Sequence, residues 1–125
     1  MSRIEAEVAG ENRQVKFFHF RLFNHLGHIN NKGGVTAAVT AVNGNFHYGL
    51  AVCSTSDQFS RPVGRAIALR RLQGRCTPND PKHGVVHGTN TSTIKDVLNT
   101  IAADQLVASS SRRRHFLDGG LRTKH

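Results

Sequence analysis

The sequence has few of the residues that several specialised protein classes require. Only two of its 125 residues are cysteine, none is tryptophan, and no apolar run approaches the roughly 18–20 residues of a membrane span. Two cysteines cannot hold together a chain of this length, which excludes a disulfide-built secreted scaffold. The first seven residues, MSRIEAE, contain no apolar signal segment. We therefore expect one soluble, cytoplasmic domain over residues 1–125, without membrane contact and with flexible ends at residues 1–13 and 112–125.

Acidic residues are also scarce, and the resulting positive charge is localised. The chain has 17 Lys and Arg against 8 Asp and Glu, a formal net charge of +9. Two segments, residues 61–75 and 112–125, account for the whole excess. Most of their bases are arginine, whose planar guanidinium group binds phosphate and stacks on nucleic-acid bases. The charge pattern predicts a phosphate-bearing partner, and the alternative is a solvated basic surface with a loose tail.

An Asn-Gly dipeptide organises the central part of the chain. Residues 35–42 and 45–53 flank Asn43-Gly44, which favours the positive φ angles of a type I′ hairpin turn. A two-residue loop fixes the register, and every facing pair on one side is then apolar: Ala41 with Phe46, Val39 with Tyr48, Ala37 with Leu50, and Val35 with Val52. Residues 15–23 are rich in phenylalanine and predict a third strand. Residues 24–34 are expected to form a connecting loop.

Two helices are expected, at about residues 60–73 and 93–108. Residues 54–57 are potential N-cap residues, but Pro62 is tolerated only in a first turn and favours a start after Ser60. Thr93 and Asp96 have the spacing of a capping box. The fold class is therefore α+β, with a three-stranded antiparallel sheet around the 35–53 hairpin, two helices and a basic C-terminal tail. Two short helices would cover one sheet face only, so the remaining apolar surface predicts a homo-oligomer.

The start of the first helix is the strongest candidate site. Arg61 and Arg65 are one turn apart near a helix N-terminus, where free N–H groups and the helix dipole attract anions. Asp57 and Phe59 immediately precede them. We expect these four residues to contribute to ligand binding. The alternative is an N-capped structural helix that carries exposed arginines.

Two further segments are candidates for the same ligand. Asn90 and Thr91 belong to a donor-rich stretch before the second helix, suited to a phosphate, a sugar or a base edge, although ordinary capping explains them equally well. Arg112, Arg113 and Phe116 would close over a nucleotide by charge and stacking. The alternative for this tail is a disordered electrostatic arm.

Catalysis and metal binding have little support in the sequence. No motif pairs two carboxylates, and the serines of residues 54–60 are better explained as caps than as nucleophiles. Cys76, His83 and His87 follow a Cys-x6-His-x3-His spacing, but a Cys-x2-Cys half is missing. We expect no enzymatic activity, no cofactor and no metal site.

One segment resembles a known family. Residues 52–72, VCSTSDQFSRPVGRAIALRRL, are similar to the motif (Ala/Phe)-Cys-Ser-x-x-Asp-x-Phe-x-Arg-x-x-Gly-Arg-x-Ile-Ala-x-x-Arg-Leu of small phage and prophage proteins. In this respect the chain resembles the first-described type of Thoeris anti-defence proteins over residues 20–72. The matching motif positions are Asp57, Phe59, Arg61, Gly64 and Arg65, whereas Pro62 and the histidine-rich tail have no counterpart.

The resemblance implies a phage protein of the host cytoplasm that sequesters a signal without cleaving it. The signal would be a cyclic ADP-ribose isomer made by TIR-domain defence enzymes, and some members also hold cyclic oligonucleotides. The family further implies dimers that assemble into larger oligomers, so that a dimer or a trimer of dimers is expected, with ligands bound between protomers. Two alternatives remain: a small basic DNA- or RNA-binding phage protein, whose binding would fall steeply with salt, and an inhibitor that docks on a host defence complex.

Overall fold

The computed structural model describes residues 2–74, 82–87, 90, 93–109 and 121–123, and these residues form an α+β fold. The described elements, in chain order, are β1 (Ser2–Val8), β2 (Glu11–Phe23), β3 (Ile29–Val42), β4 (Asn45–Gln58), α1 (Arg61–Leu72), β5 (His83–Val86), α2 (Ile94–Ser109) and β6 (Leu121–Thr123). The predicted fold class and both helices are confirmed. The sheet has six strands in the described part of the chain, not three.

The strands form one antiparallel sheet in the order β1-β2-β3-β4-β5, with β6 pairing with β2. The predicted hairpin is confirmed in its register, and all four predicted apolar pairs are present between β3 and β4. Asn43 and Gly44 have φ angles of 50° and 83°, as a type I′ turn requires. Turn chemistry and hydrophobic pattern therefore specified this part of the fold correctly.

The prediction was wrong about the residues around the hairpin. Residues 1–13, expected to be flexible, supply β1 and the start of β2, joined at Ala9-Gly10 with φ angles of 53° and 83°. In β1, charged residues alternate with Ile4, Ala6 and Val8, which is the period of a strand with one buried face. β3 begins inside the predicted loop, and β4 continues through the predicted capping cluster to Gln58. Three residues of the predicted basic tail form β6, and the rest of 112–125 lies outside the described residues.

The two helices pack on opposite faces of the sheet. One buried cluster joins α2 to alternate residues of β2, β3 and β4: Phe18, Phe20, Leu22, Val35, Ala37, Val39, Leu50, Ile94, Leu98, Ala102 and Leu106. The other joins α1 to the residues between them, together with β1: Val8, Val15, Phe17, Ala38, Ala51, Ala68 and Leu72. Both faces of the central strands are thus covered. The expectation of an uncovered face was wrong, so it no longer supports an oligomer, which stays a prediction.

Helix α1 is fixed closely against the sheet. Ser60 is its N-cap and accepts a hydrogen bond from Val63 N at 3.5 Å, with Pro62 in the first turn, which confirms the predicted later start. Gly49 of β4 lies directly beneath the helix, where a Cβ atom would collide with the backbone at Ala68 and Leu72. No described helix is long and apolar enough to cross a bilayer.

Candidate anion-binding site

The N-terminal end of α1 lies over the β2 and β3 residues that carry polar side chains on this face. His19 is paired with Thr36, and Arg21 is paired with Gly34 on one side and with Arg122 of β6 on the other. Directly paired residues in a sheet project from the same face. Five side chains from β2, α1 and β6 are named the cationic cluster here: His19, Arg21, Arg61, Arg65 and Arg122.

His19 is the uncharged member of the cationic cluster. Its Nδ1 lies 3.0 Å from the Thr36 hydroxyl oxygen, and its Nε2 is buried without a partner in the described part of the chain. Burial, the largest cause, and the charges of Arg61 and Arg65 together lower the pKa of His19 from 6.5 to about 4. At neutral pH the imidazole is therefore neutral, and the positive charges of the surrounding arginines contribute to keeping it so.

Arg21 is held in place by an aromatic ring. Its Cζ lies 4.4 Å from the centroid of the Phe59 ring, a cation–π arrangement, and the same ring meets His19 edge-on at 6.0 Å. Gly34 makes room for this ring, since a Cβ at residue 34 would lie 2.7 Å from a Phe59 ring carbon. The Arg21 Nε is buried and has no described partner. Burial and the charge of Arg61 lower the Arg21 pKa.

Arg61 and Arg65 are not neutralised by any described residue. Neither guanidinium group forms an ion pair or hydrogen bond with a described residue, and the first turn of α1 contains no acidic residue. The main-chain N–H groups of the first turn contribute less to anion binding than the sequence suggested. Pro62 lacks an N–H, and the Val63 N–H is already hydrogen-bonded to the Ser60 side chain. The arginine side chains, rather than the helix amides, therefore provide most of the anion-binding capacity.

A cavity of about 210 Å³ adjoins this end of α1 on its β4 side. Its lining includes Asp57, Phe59 and Ser60. The exposed Asp57 carboxylate accepts a hydrogen bond from Ser54 Oγ at 3.2 Å and leaves further acceptor capacity for a ligand hydroxyl. Complete small-molecule pockets usually measure about 300–1,000 Å³, so this cavity has room for part of a ligand such as a ribose.

Arg122 lies beside Arg21 on the same face of the sheet, and neither of these arginines nor His19 was predicted as a site residue from the sequence. The Cζ of Arg122 lies 4.0 Å from the centroid of the Phe23 ring, and its strand is hydrogen-bonded to β2 beside Arg21. His19 and Arg21 occupy odd positions of β2. The polar residues among these otherwise apolar positions were the sequence signal that could have indicated them as site residues. No local sequence pattern predicts β6, because three residues of ordinary composition do not specify a strand without the strand they pair with, β2.

The structure brings together four of the predicted ligand-binding residues and separates a fifth from them. Asp57, Phe59, Arg61 and Arg65 all surround the start of α1. Asn90 lies before α2, which packs on the opposite face of the sheet, and its side-chain oxygen accepts the Thr93 N–H at 3.1 Å. This hydrogen bond is the capping role weighed as the alternative. The predicted residues Thr91, Arg112, Arg113 and Phe116 lie outside the described residues, as does Cys76 of the weak metal pattern.

Metal binding gains no support from the arrangement of side chains. Among the described residues, no group of three or more histidine, cysteine, aspartate or glutamate side chains is suitably placed to hold a metal ion. Comparison with protein-family models, curated proteins and solved structures finds no match to this chain, so the geometry of the cationic cluster has to carry the functional argument.

Proposed function

We propose that this protein binds and sequesters a phosphate-bearing nucleotide, without cleaving it, at the cationic cluster. The observation that carries the proposal is that α1 packs through Gly64 on Thr36, which contacts His19, while Arg21 and His19 both contact the Phe59 ring just before the helix. This packing brings Arg61 and Arg65 of the first turns of α1 to the same end of the site as Arg21. None of these three arginines is paired with a carboxylate in the described part of the chain. Like charges held this close lower stability unless an anion compensates them, and phosphate is the anion that guanidinium groups bind best.

The neighbouring cavity favours a nucleotide over a free phosphate. Asp57 is an acceptor at the cavity lining, and carboxylates in such positions accept hydrogen bonds from ribose hydroxyls. A ligand with its phosphates on the arginines and its ribose toward Asp57 would use both halves of the site. Each charge-assisted hydrogen bond contributes about 1.5–3 kcal/mol, so a few such bonds suffice for tight binding.

Binding without cleavage agrees with the surroundings of His19, the histidine of the cationic cluster. His19 contacts Thr36, but the Thr36 side chain is fully buried, and a Cβ at Gly64 of α1 would collide with its hydroxyl. Thr36 contributes to the cavity lining, but its side chain has no exposed surface, so its hydroxyl is poorly placed to act as a nucleophile. The His19–Thr36 contact instead positions the imidazole beneath the arginines.

The resemblance to Thoeris anti-defence proteins specifies the ligand further. On this basis the ligand is a cyclic ADP-ribose isomer or a cyclic oligonucleotide, and the protein is a phage-encoded evasion factor of the host cytoplasm. Asn90 lies on the opposite face of the sheet from Arg61, so its contact with the same ligand would require a second copy of the chain. A dimer or trimer of dimers with the ligand between protomers satisfies that requirement.

Ligand retention followed by release tests the proposal. The purified protein is incubated with a cyclic ADP-ribose isomer or a cyclic trinucleotide, freed of unbound ligand and heat-denatured, and the supernatant is analysed by mass spectrometry. Intact nucleotide is expected in the supernatant. Altered nucleotide would show an enzyme, and the absence of any retained nucleotide would reject the proposal.

Matched variants assign retention to the site. Arg65→Gln is expected to reduce retention at least tenfold, since it removes a charge from the cationic cluster. Arg70→Gln makes the same change at an exposed position in the last turn of the same helix and should retain ligand like the unmodified protein. Binding of DNA or RNA oligonucleotides that is lost steeply as salt rises, without nucleotide retention, would favour the nucleic-acid alternative.

A further inference from the structure

A second and larger cavity lies on the opposite face of the sheet from the cationic cluster. It measures about 540 Å³ and lies where β2, β3 and β4 meet the first turn of α2. Four large apolar side chains contribute to its lining: Phe18, Val39, Phe46 and Ile94. The volume is within the range of about 300–1,000 Å³ typical of small-molecule sites. Nothing in the proposed nucleotide site uses this cavity.

The charged residues that the structure describes in the lining of the second cavity are all basic. Arg13, Lys16 and Lys95 line it, and no described carboxylate does. Arg13 is fixed by an ion pair with Glu11 at 3.2 Å and a hydrogen bond to Val8 O at 2.9 Å. The two lysines form no hydrogen bond or ion pair with a described residue. Lys16 and Lys95 are therefore free to bind an anionic group.

The apolar part of the lining offers little to a nucleobase. Among the described residues, only two uncharged polar ones line the cavity, Gln14 and Thr40, and the Thr40 hydroxyl already donates to the Gln14 carbonyl at 2.9 Å. A base buried against Phe18 and Phe46 would lose the hydrogen bonds of its edge to water, which costs about 1–3 kcal/mol for each polar group left unpaired. An alkyl body has no such groups and gains from burial in proportion to its area.

We propose that this cavity binds a single-chain amphipathic anion. Its alkyl chain lies against Phe18, Val39 and Phe46, and its carboxylate or phosphate head is bound by Lys16 and Lys95. The shared chemistry is one anionic head on an unbranched apolar chain. A fatty acid and an alkyl phosphate are the two sources of that chemistry.

Isothermal titration calorimetry with four probes tests the ligand class, each amphiphile below its critical micelle concentration. Dodecanoate and dodecyl phosphate carry the two candidate heads, dodecyltrimethylammonium carries the same tail with the opposite charge, and adenosine monophosphate is an anion without an alkyl chain. We expect one anionic amphiphile to bind per chain, at least tenfold more tightly than the cationic amphiphile. The tighter of the two anions identifies the head. Equal binding of the cationic amphiphile, tighter binding of the nucleotide, or no binding of either anion would overturn the proposal.

Substitutions in the cavity locate the binding. The double variant Lys16→Gln/Lys95→Gln is expected to weaken anion binding at least tenfold, whereas Lys32→Gln, at the far end of β3, should not change it. Ala41 is an exposed residue of the cavity lining, so Ala41→Phe would fill the space without disturbing the buried core and should abolish binding. Full affinity in Ala41→Phe, with the fold verified by circular dichroism, would overturn the proposal. Arg65→Gln should retain amphiphile binding, which separates this site from the nucleotide site.

Discussion

Arg21 of β2 and Arg122 of β6 are direct cross-strand partners, so their two side chains project from adjacent positions on the same face of the sheet. Like charges in this arrangement destabilise a sheet by up to about 1 kcal/mol. Each guanidinium is stacked on a phenylalanine, Arg21 on Phe59 and Arg122 on Phe23, which offsets part of that cost. The chain thus maintains concentrated positive charge at the site proposed for an anion.

Inorganic pyrophosphate is expected to stabilise the folded protein. An anion that binds only the folded state at a hundred times its dissociation constant adds about 2.7 kcal/mol to the free energy of unfolding. Urea denaturation with and without pyrophosphate measures this increase. Arg21→Gln should show a smaller increase, and the control Arg70→Gln an unchanged one. An equal increase in all three proteins would indicate a general salt effect and contradict the prediction.

Arg122→Gln is expected to weaken nucleotide binding about tenfold while changing the free energy of unfolding by less than about 1 kcal/mol. The substitution removes the repulsion from Arg21 and the cation–π contact with Phe23, two effects of similar size and opposite sign. Calorimetric titration and urea denaturation measure the two quantities.

Deletion of residues 121–125 provides the comparison for that substitution. Unlike the substitution, the deletion should lower the free energy of unfolding as well as weaken nucleotide binding. The reason is that Leu121 packs against the α2 cluster and β6 pairs with β2. If Arg122→Gln were as destabilising as the deletion, the guanidinium group would have a structural role and the prediction would be wrong.

The stability of the protein is expected to fall as the pH is lowered from about 6.5 to about 4, and His19 should contribute to this fall. Its pKa is near 6.5 in the unfolded chain and about 4 in the folded protein. Between those values the unfolded state binds more protons, so the contribution is complete above pH 6.5 and is lost on acidification. After allowance for solvent screening of this partly exposed group, we expect about 1–2 kcal/mol.

His19→Asn isolates that contribution. The variant should lose less free energy of unfolding between pH 7 and pH 5 than the unmodified protein, as measured by urea denaturation at both values. Burial also lowers the His47 pKa, but this group is present in both proteins and cancels in the comparison. Pyrophosphate should raise the His19 pKa in an NMR titration, since a bound anion offsets the arginine charges. An unchanged pKa would place the anion elsewhere.

Gly49→Ala is expected to destabilise the protein by about 3 kcal/mol or more. The added methyl group would collide with main-chain atoms of Ala68 and Leu72, which cannot move without displacing α1. Gly64→Ala meets the Thr36 side chain instead, so the double variant Gly64→Ala/Thr36→Ala should recover part of the stability that Gly64→Ala loses. Urea denaturation of the three variants measures the differences. A cost below 1 kcal/mol for Gly49→Ala would show that α1 is not fixed closely on β4.

The sequence was informative where local chemistry and long-range packing agreed. The Asn43-Gly44 turn and the apolar pairs around it determine one register, and Pro62 with Ser60 determines where α1 begins. The pairs Ile4/Val15 and Ala6/Arg13 were equally local, joined by the Ala9-Gly10 turn, but the many charges of residues 1–13 obscured the alternation. Charged side chains on an exposed sheet face are compatible with a strand, so the charges of residues 1–13 were not evidence of flexibility.

The candidate site was only partly predictable for a different reason. Arg61 and Arg65 are neighbours on one helix, so their spacing alone indicated a shared function. His19, Arg21 and Arg122 join them only through strand pairing across most of the chain, and no short-range pattern contains that information. The placement of the two helices on opposite faces of the sheet could not be predicted from the sequence either. The apolar stripe of an amphipathic helix shows which side of the helix is buried, but not which face of the sheet it packs on.

The position of β6 has a consequence for the order of events during folding. Its three residues pair with a strand from the opposite end of the chain, so their docking closes a loop that contains almost every other element. Closing a loop of this length has an entropic cost, and the hydrogen bonds and apolar burial of only three residues compensate little of it. β6 should therefore be the last strand to form and the first to open. In native-state hydrogen exchange, the amides of Leu121–Thr123 would exchange at low denaturant while those of β3 and β4 remain protected.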